Sequence, residues 1–106
     1  MTKTALIALA AVLAVADAAL AAAIVTVDQR DIAFSTSRLT VAKGSIVAFT
    51  NSDATSHNIL ITGAGLSLNS GLQQAGVAFK APMTKPGEYQ VTCGIHPKMK
   101  MTLVVK

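Results

Sequence analysis

The pattern of hydrophobic and polar positions divides the chain into two parts. Near the N-terminus an unbroken apolar run covers residues 5–16, follows Lys3 and ends at Asp17. From residue 24 onward the apolar residues come in short runs that alternate with polar residues or are rich in β-branched side chains, and no helical period of useful length is present. The two patterns predict a leader segment followed by a β-rich domain.

The leader has the composition of a secretory signal peptide. A basic residue precedes the apolar run, and the small residues of "AALAAA" have the spacing that a signal peptidase accepts. We predict a signal peptide over residues 1–23, cleaved after about Ala21 or Ala23, and a single mature domain over 24–106 that is exported to the periplasm or beyond. The alternative is an uncleaved membrane anchor over 4–27, which has the roughly 20 residues that a span needs but contains an aspartate.

Short strands are predicted along the whole mature domain. The runs are "IVTV" (24–27), "RLTVAKGSIVAFTN" (38–51), "HNILIT" (57–62), "VAFKA" (77–81), "GEYQVTC" (87–93) and "MTLVVK" (101–106). Turn-forming residues separate them, including "KG" at 43–44 and "KPG" at 85–87. This spacing predicts an all-β fold, a single β-sandwich of about seven short strands. The stretch 63–76 lacks strand character and is expected to form a long loop or a helical turn.

The charge pattern bears on the partners of the domain. The formal net charge of the chain is +4, and the lysines and arginines are scattered along it except for Lys98 and Lys100. A nucleic-acid surface needs a basic stripe interleaved with aromatic residues, whereas aromatic residues make up only 4% of this chain. We therefore expect no nucleic-acid binding, and the basic residues favour an acidic protein partner.

The segment "CGIHPKMKMT" near the C-terminus concentrates the soft and nitrogen-donor side chains. It holds the only cysteine of the chain, one of its two histidines and two of its four methionines. Gly94 and Pro97 favour a tight loop over a helix, and such a loop can bring Cys93, His96 and Met99 to one point. A lone cysteine cannot form an intramolecular disulfide, so a metal is one way to protect its thiol in an oxidising compartment.

Copper is the metal that prefers this donor set. A thiolate, two imidazole nitrogens and a weak thioether form a trigonal copper site, and His57 is the one other histidine that can supply the second imidazole if adjacent strands bring it beside Cys93. Taken alone, His57 would more often be an ordinary polar residue and Cys93 a small buried hydrophobe. A structural zinc site is a weaker alternative, because methionine is an unusual zinc ligand. A Cys-His nucleophile pair would need an orienting residue and an oxyanion hole, neither of which is evident, so we expect no enzymatic activity.

From about Ile24 to Lys106 the chain resembles the cupredoxins, small blue copper proteins, and most closely their amicyanin and plastocyanin branch. The segment "SHN" resembles the family's first-ligand segment, "CGIHPKM" its ligand loop, and "RLTVAKGSIVAFTN" the two strands before the first histidine. The resemblance implies a cupredoxin-like Greek-key sandwich with one type 1 copper per chain. It also implies His57, Cys93 and His96 as the equatorial ligands.

The resemblance implies an axial methionine as well, for which two positions compete. The pattern Cys-x2-His-x2-Met is the short loop typical of amicyanins and implies Met99, whereas family members with a longer loop place the methionine two residues later, at Met101. We favour Met99, because the rest of the chain fits the short form without a gap and Met101 falls in the apolar column of the last strand. Asn58 resembles the family's asparagine that links the loops of His57 and the cysteine by hydrogen bonds.

The resemblance implies a monomeric, exported shuttle that carries single electrons between a redox protein donor and an acceptor. The edge of His96 would be the electron port, with Ile95 and Pro97 beside it. Lys98 and Lys100 would steer a partner with an acidic docking surface. Lys98 stands where such loops often carry an aromatic residue, which argues against a methylamine-dehydrogenase partner. The alternative function is a periplasmic copper carrier, buffer or sensor that uses the same site.

Overall fold

A computed structural model describes residues 20–106 of the protein. The predicted signal peptide and the alternative membrane anchor fall mainly on residues 1–19, outside the described part. Among the described residues, no helix has both the length and the apolar character that crossing a membrane requires.

Two β-sheets make up the described part of the chain, as the sequence pattern predicted. The strands are β1 (Ile24–Arg30), β2 (Ala33–Phe34), β3 (Arg38–Val41), β4 (Ser45–Asn51), β5 (Ile59–Gly63), β6 (Leu66–Asn69), β7 (Phe79–Met83), β8 (Gly87–Cys93) and β9 (Lys100–Val105). One sheet has the order β2-β1-β4-β7 and the other the order β3-β9-β8-β5-β6. The all-β sandwich is confirmed.

The strand count differs from the predicted seven because two short strands were missed. The segment Leu66–Asn69 forms β6, which pairs antiparallel with β5, so the expectation of a loop or helical turn across 63–76 was wrong there. The segment Ala33–Phe34 forms β2 through a tight hairpin with β1. The predicted run 38–51 divides at the Lys43-Gly44 turn, where Gly44 has a φ of 91°, and its halves enter different sheets.

Alternation along β8 and β9 builds the core between the sheets. On β8, Tyr89, Val91 and Cys93 point inward, and on β9 Met101 and Leu103 do the same; all five are buried. Fully burying a side chain of this kind contributes about 1.5–3 kcal/mol. Cys93 is the last inward-pointing residue of its strand, so the loop that follows it begins at the edge of the core.

Candidate metal centre

The register of β5 and β8 brings the first histidine to the cysteine. Ile59 on β5 lies opposite Cys93 on β8, and the backbone N–H of Gly94 donates to the carbonyl of Asn58 at 2.8 Å. His57 is two residues before Ile59 and therefore lies on the same face of the sheet. His57 and Cys93, 36 positions apart in the chain, thus meet at the end of the five-stranded sheet.

The register of β8 and β9 places the two methionines at different depths. Val91 lies opposite Met101, and the same ladder continued by one inward position on each strand sets Met99 opposite Cys93. Both methionines are buried, with 2% exposure each. Met101 belongs to the hydrophobic core cluster, whereas Met99 lies outside it, at the level of the cysteine. The backbone N–H of Met99 donates to the carbonyl of His96 at 2.9 Å, which closes the loop.

Three donor atoms converge in a geometry that suits a single metal ion. The Nδ1 atoms of His57 and His96 are 3.2 Å apart, and Sγ of Cys93 is 3.7 Å from each of them. The centre of a triangle with these sides lies roughly 2 Å from every corner, within the about 2.0–2.3 Å that zinc-like first-row ions keep from nitrogen and sulfur. His57 and Cys93 are buried, and His96 is half-buried.

A hydrogen bond at the outer nitrogen of His57, Nε2, fixes which ring nitrogen faces the site. Its Nε2 lies 2.7 Å from Oδ2 of Asp53. Burial by itself raises the pKa of Asp53, but hydrogen bonds from His57 and two backbone N–H groups outweigh it and the pKa lies below its usual range. Near neutral pH the carboxylate only accepts hydrogen bonds, so in this contact Nε2 is the donor and Nδ1 is the ring nitrogen that faces the site. Nδ1 of His57 thus points toward the nitrogen of His96 and the sulfur of Cys93.

Asn58 links the two loops of the site mainly through its backbone. Its N–H donates to Sγ of Cys93 at 3.3 Å, and its carbonyl accepts from Gly94. Its side-chain Nδ2 turns the other way and donates to Oδ1 of Asn69 at 2.7 Å and to the carbonyl of Gly71 at 3.0 Å. The cysteine sulfur is therefore held by a main-chain donor, while the side chain anchors the segment after β6.

Gly94→Ala is expected to destabilise the metal-free protein by about 1–3 kcal/mol, the usual cost of overpacking a tight site. A Cβ at this position would overlap Oδ1 of Asn58 and lie tightly against Cγ of the same side chain at 3.3 Å. Urea denaturation of the metal-free protein measures the change. The matched control is the same substitution in an Asn58→Ala background, where the overlapping oxygen is gone and the cost should shrink. An equal cost in both backgrounds would show that the overlap is not its cause.

Several residues near the site gave no recognisable signal in the sequence. Gln73 forms an isolated β-bridge with His57, exchanging backbone hydrogen bonds of 2.9 and 2.6 Å. Its buried side chain donates to the carbonyl of Phe49 and accepts from Gln29 at 2.8 Å in both cases. Asp53 was likewise overlooked within the polar loop before His57. Polar loop residues look alike in a sequence, and only their partners distinguish these two.

The surface beside the half-buried His96 is both apolar and basic. Ile95 is 49% exposed, and Pro97, Lys98 and Lys100 are exposed as well. Leu72, which the sequence analysis did not consider, is 66% exposed and lies between Gly71 and Gln73, whose backbones contact Asn58 and His57. The segments that carry the donors therefore also carry, or neighbour, two exposed aliphatic side chains and two exposed lysines.

The donor set has a clear chemical preference. Two imidazole nitrogens and a thiolate with a buried methionine close by suit copper in both of its common oxidation states, since the sulfur atoms favour Cu(I) and the imidazoles accept either state. The residues present therefore fit one copper ion.

Comparisons with known proteins agree with this donor set. The chain matches the family model of the cupredoxin-like domain over residues 3–105. Among solved structures it is similar to a copper-containing nitrite reductase from Thermus scotoductus SA-01, with 27% identity and a TM-score of 0.73 over 87% of this chain and 24% of that one. The chain thus spans about a quarter of the length of that nitrite reductase chain. No curated protein sequence matches it.

Amicyanin is a second group of similar structures. A proline-to-glycine variant in its reduced Cu(I) form at pH 4 shares 26% identity with a TM-score of 0.71, over 86% of this chain and 88% of that one. A methionine-to-alanine variant with Cu(I) gives the same identity, TM-score and coverage. In these cases the similarity extends over nearly the whole of both chains.

Proposed function

Because the chain belongs to the family of cupredoxin-like domains, we propose that it is a blue copper protein that carries single electrons between redox partners. The observation that carries the proposal is the buried triangle of two imidazole nitrogens and one sulfur, with sides of 3.2, 3.7 and 3.7 Å. Copper, when bound, supplies the reversible exchange of one electron between Cu(II) and Cu(I).

In this proposal His57, Cys93 and His96 are the equatorial ligands. His57 is held by the Gln73 bridge on its backbone and by Asp53 on its ring, and Cys93 receives a backbone hydrogen bond. Donors fixed from several sides move little when the charge of the metal changes. A small rearrangement favours fast electron transfer, which is the property a shuttle needs.

Met99 is the proposed axial ligand. Its support is its position opposite Cys93 together with its place outside the core cluster, whereas Met101 packs one level deeper within that cluster. A thioether is a weak ligand at long distance in such sites and tunes the potential more than the affinity. Met101 then acts as a core residue.

We propose that the exposed edge of His96 is the electron port. Ile95, Pro97 and the overlooked Leu72 give the surrounding surface an aliphatic character, and exposed lysines add positive charge. Charges at the rim of an interface mainly raise the association rate and select the partner. A donor and an acceptor with apolar patches bordered by acidic residues fit this surface, and we expect the chain to act as a monomer.

The exported location and the domain limits also remain part of the proposal. The mature domain would begin close to β1, whose first residue is Ile24. Ala23 already bonds to the sandwich, since its N–H donates to Oγ of Ser45 and its carbonyl accepts from Ile46. Cleavage after Ala21 would leave both bonds intact, whereas cleavage after Ala23 would remove them.

The nitrite reductase similarity does not carry an enzymatic activity to this chain. The matched region is a quarter of that enzyme. The proposed shuttle requires only one copper and a docking surface. We therefore propose a non-enzymatic carrier.

Redox cycling distinguishes an electron shuttle from a copper carrier. The copper-loaded protein is reduced with ascorbate and reoxidised with ferricyanide over repeated cycles, in the presence of a moderate-affinity Cu(I) chelator. We expect the visible absorption to return fully in each cycle with one copper per chain retained, because four buried or half-buried donors hold the metal. Transfer of the copper to the chelator on every reduction would contradict the shuttle and support the carrier.

A further inference from the structure

The carboxylate of Asp53 lies directly behind the buried histidine of the copper site. Its Oδ2 is 2.7 Å from Nε2 of His57, and its side chain is only 11% exposed. The imidazole of His57 is fully buried. On the opposite edge of the ring, Nδ1 lies 3.2 Å from Nδ1 of His96 and 3.7 Å from Sγ of Cys93. Asp53 therefore holds the edge of the ring that faces away from the donor triangle.

Asp53 is itself held from the opposite side by the turn between β1 and β2. The backbone N–H of Asp31 donates to its Oδ1 at 2.6 Å, and that of Ile32 donates to its Oδ2 at 3.1 Å. Its own N–H donates to Oδ1 of Asn51 at 2.9 Å. These contacts fix the plane of the carboxylate before any metal is bound.

The turn that holds Asp53 has an unfavourable local conformation. Arg30 pairs with Ala33, so a two-residue loop joins the strands, and both of its residues, Asp31 (φ 55°) and Ile32 (φ 54°), have positive φ. Asn-Gly and Asp-Gly are the usual sequences in such loops, and a β-branched isoleucine with positive φ is strained. The hydrogen bonds that the two N–H groups of this turn donate to Asp53 offset the strain of the turn.

We propose that Asp53 is a positioning residue of the copper site, whose carboxylate holds His57 in the Nε2–H tautomer with Nδ1 toward the metal and ties the Asp31-Ile32 turn to the site. The inference rests on the proposed copper function and deepens it. A carboxylate that accepts from the outer nitrogen of a ligating histidine orients the ring and increases its basicity. The negative charge also stabilises the more positive Cu(II) state, so Asp53 lowers the reduction potential.

Asp53→Asn and Asp53→Ala test the role in copper binding. We expect the affinity for Cu(II), measured by competition with a chelator, to fall about tenfold in the asparagine variant and up to about 100-fold in the alanine variant. The reduction potential should rise in both. The matched control is Asp28→Asn, which also removes one carboxylate but one that contacts the hydroxyls of Thr50 and Ser52 rather than the site.

The tautomer and the turn are measured in the metal-free protein. Long-range ¹H–¹⁵N correlation spectra should show the proton of His57 on Nε2 in the unaltered chain and a mixture of tautomers in Asp53→Ala. The amides of Asp31 and Ile32 should exchange with solvent about tenfold faster in that variant. Asp53→Asn keeps an oxygen that can accept from these N–H groups, so it remains informative if the alanine variant does not fold.

Two results would overturn the role of Asp53. The first is that both Asp53 variants have the same copper affinity and reduction potential as Asp28→Asn. Asp53 would then have a structural role only, even if the two variants were less stable. The other is a His57 proton on Nδ1 in the unaltered metal-free chain. Failure of the copper function is distinguishable, since the unaltered chain would then not bind copper while the tautomer measurement would still decide what Asp53 does.

Discussion

Cys93→Ser is expected to abolish the intense visible absorption of the copper-loaded protein. That absorption arises from charge transfer between a thiolate and Cu(II), and this chain has only one cysteine. Its sulfur lies 3.7 Å from both imidazole nitrogens, and the chain has no second thiol that could replace it. A serine hydroxyl is a harder and weaker ligand, and the affinity for copper should fall by more than about 100-fold, beyond the cost of losing an outer hydrogen bond.

Absorption spectra and copper titrations of the two proteins measure this effect. Serine is close in size to cysteine, so denaturation of the metal-free variant should show a stability near that of the unaltered chain. Thr92→Ser is a suitable control, because Thr92 is adjacent on β8 and its side chain points to the opposite face. A colourless 1:1 complex of the unaltered protein with Cu(II) would refute the type 1 site, and so would an undiminished band in Cys93→Ser.

Met99→Leu should raise the reduction potential by about 60 mV or more, equivalent to a tenfold change in the relative binding of Cu(II) and Cu(I). Leucine removes a weak donor and leaves hydrocarbon in its place, which disfavours the more highly charged Cu(II). Met101→Leu should leave the potential nearly unchanged, because its partner across the ladder is Val91 and not the cysteine. Protein film voltammetry of the copper-loaded variants gives both potentials.

The two methionine variants serve as controls for each other. Both residues have the same small exposure and undergo the same chemical change. A methionine-to-leucine exchange in a packed core usually costs less than about 1.5 kcal/mol, and we expect that cost to appear in the stability of Met101→Leu. A large shift of potential in Met101→Leu with none in Met99→Leu would assign the axial position to Met101 instead.

The strands that carry the copper loop were predictable because their pattern is local. On β8 and β9 every second residue is apolar, and this alternation assigned Met101 and Leu103 to the buried face before any partner strand was known. The segment Leu66–Asn69 was not predictable in the same way. It alternates as well, but over only four residues, which is too short a pattern to predict a strand, and it becomes one by pairing with β5.

The types of donor were also readable from the sequence. A single cysteine with a histidine three residues later and a methionine three beyond that, in a loop bounded by glycine and proline, limits the chemistry to few metals. The choice of copper and of the fold class, both supported by the family match, needed no coordinates. Resemblance contributed what spacing could not, namely the pairing of this loop with a histidine far away in the chain.

Only the tertiary structure decided the distances between these donors and the partners that hold them. The β5-β8 register brings His57 to Cys93, and the β8-β9 register separates Met99 from Met101 by one level. The link from Asp53 to His57 and to the Asp31-Ile32 turn leaves no trace in the sequence. Side-chain type and periodicity are properties of the chain itself and are visible in its sequence. Register and contact across strands arise only when distant segments pack together.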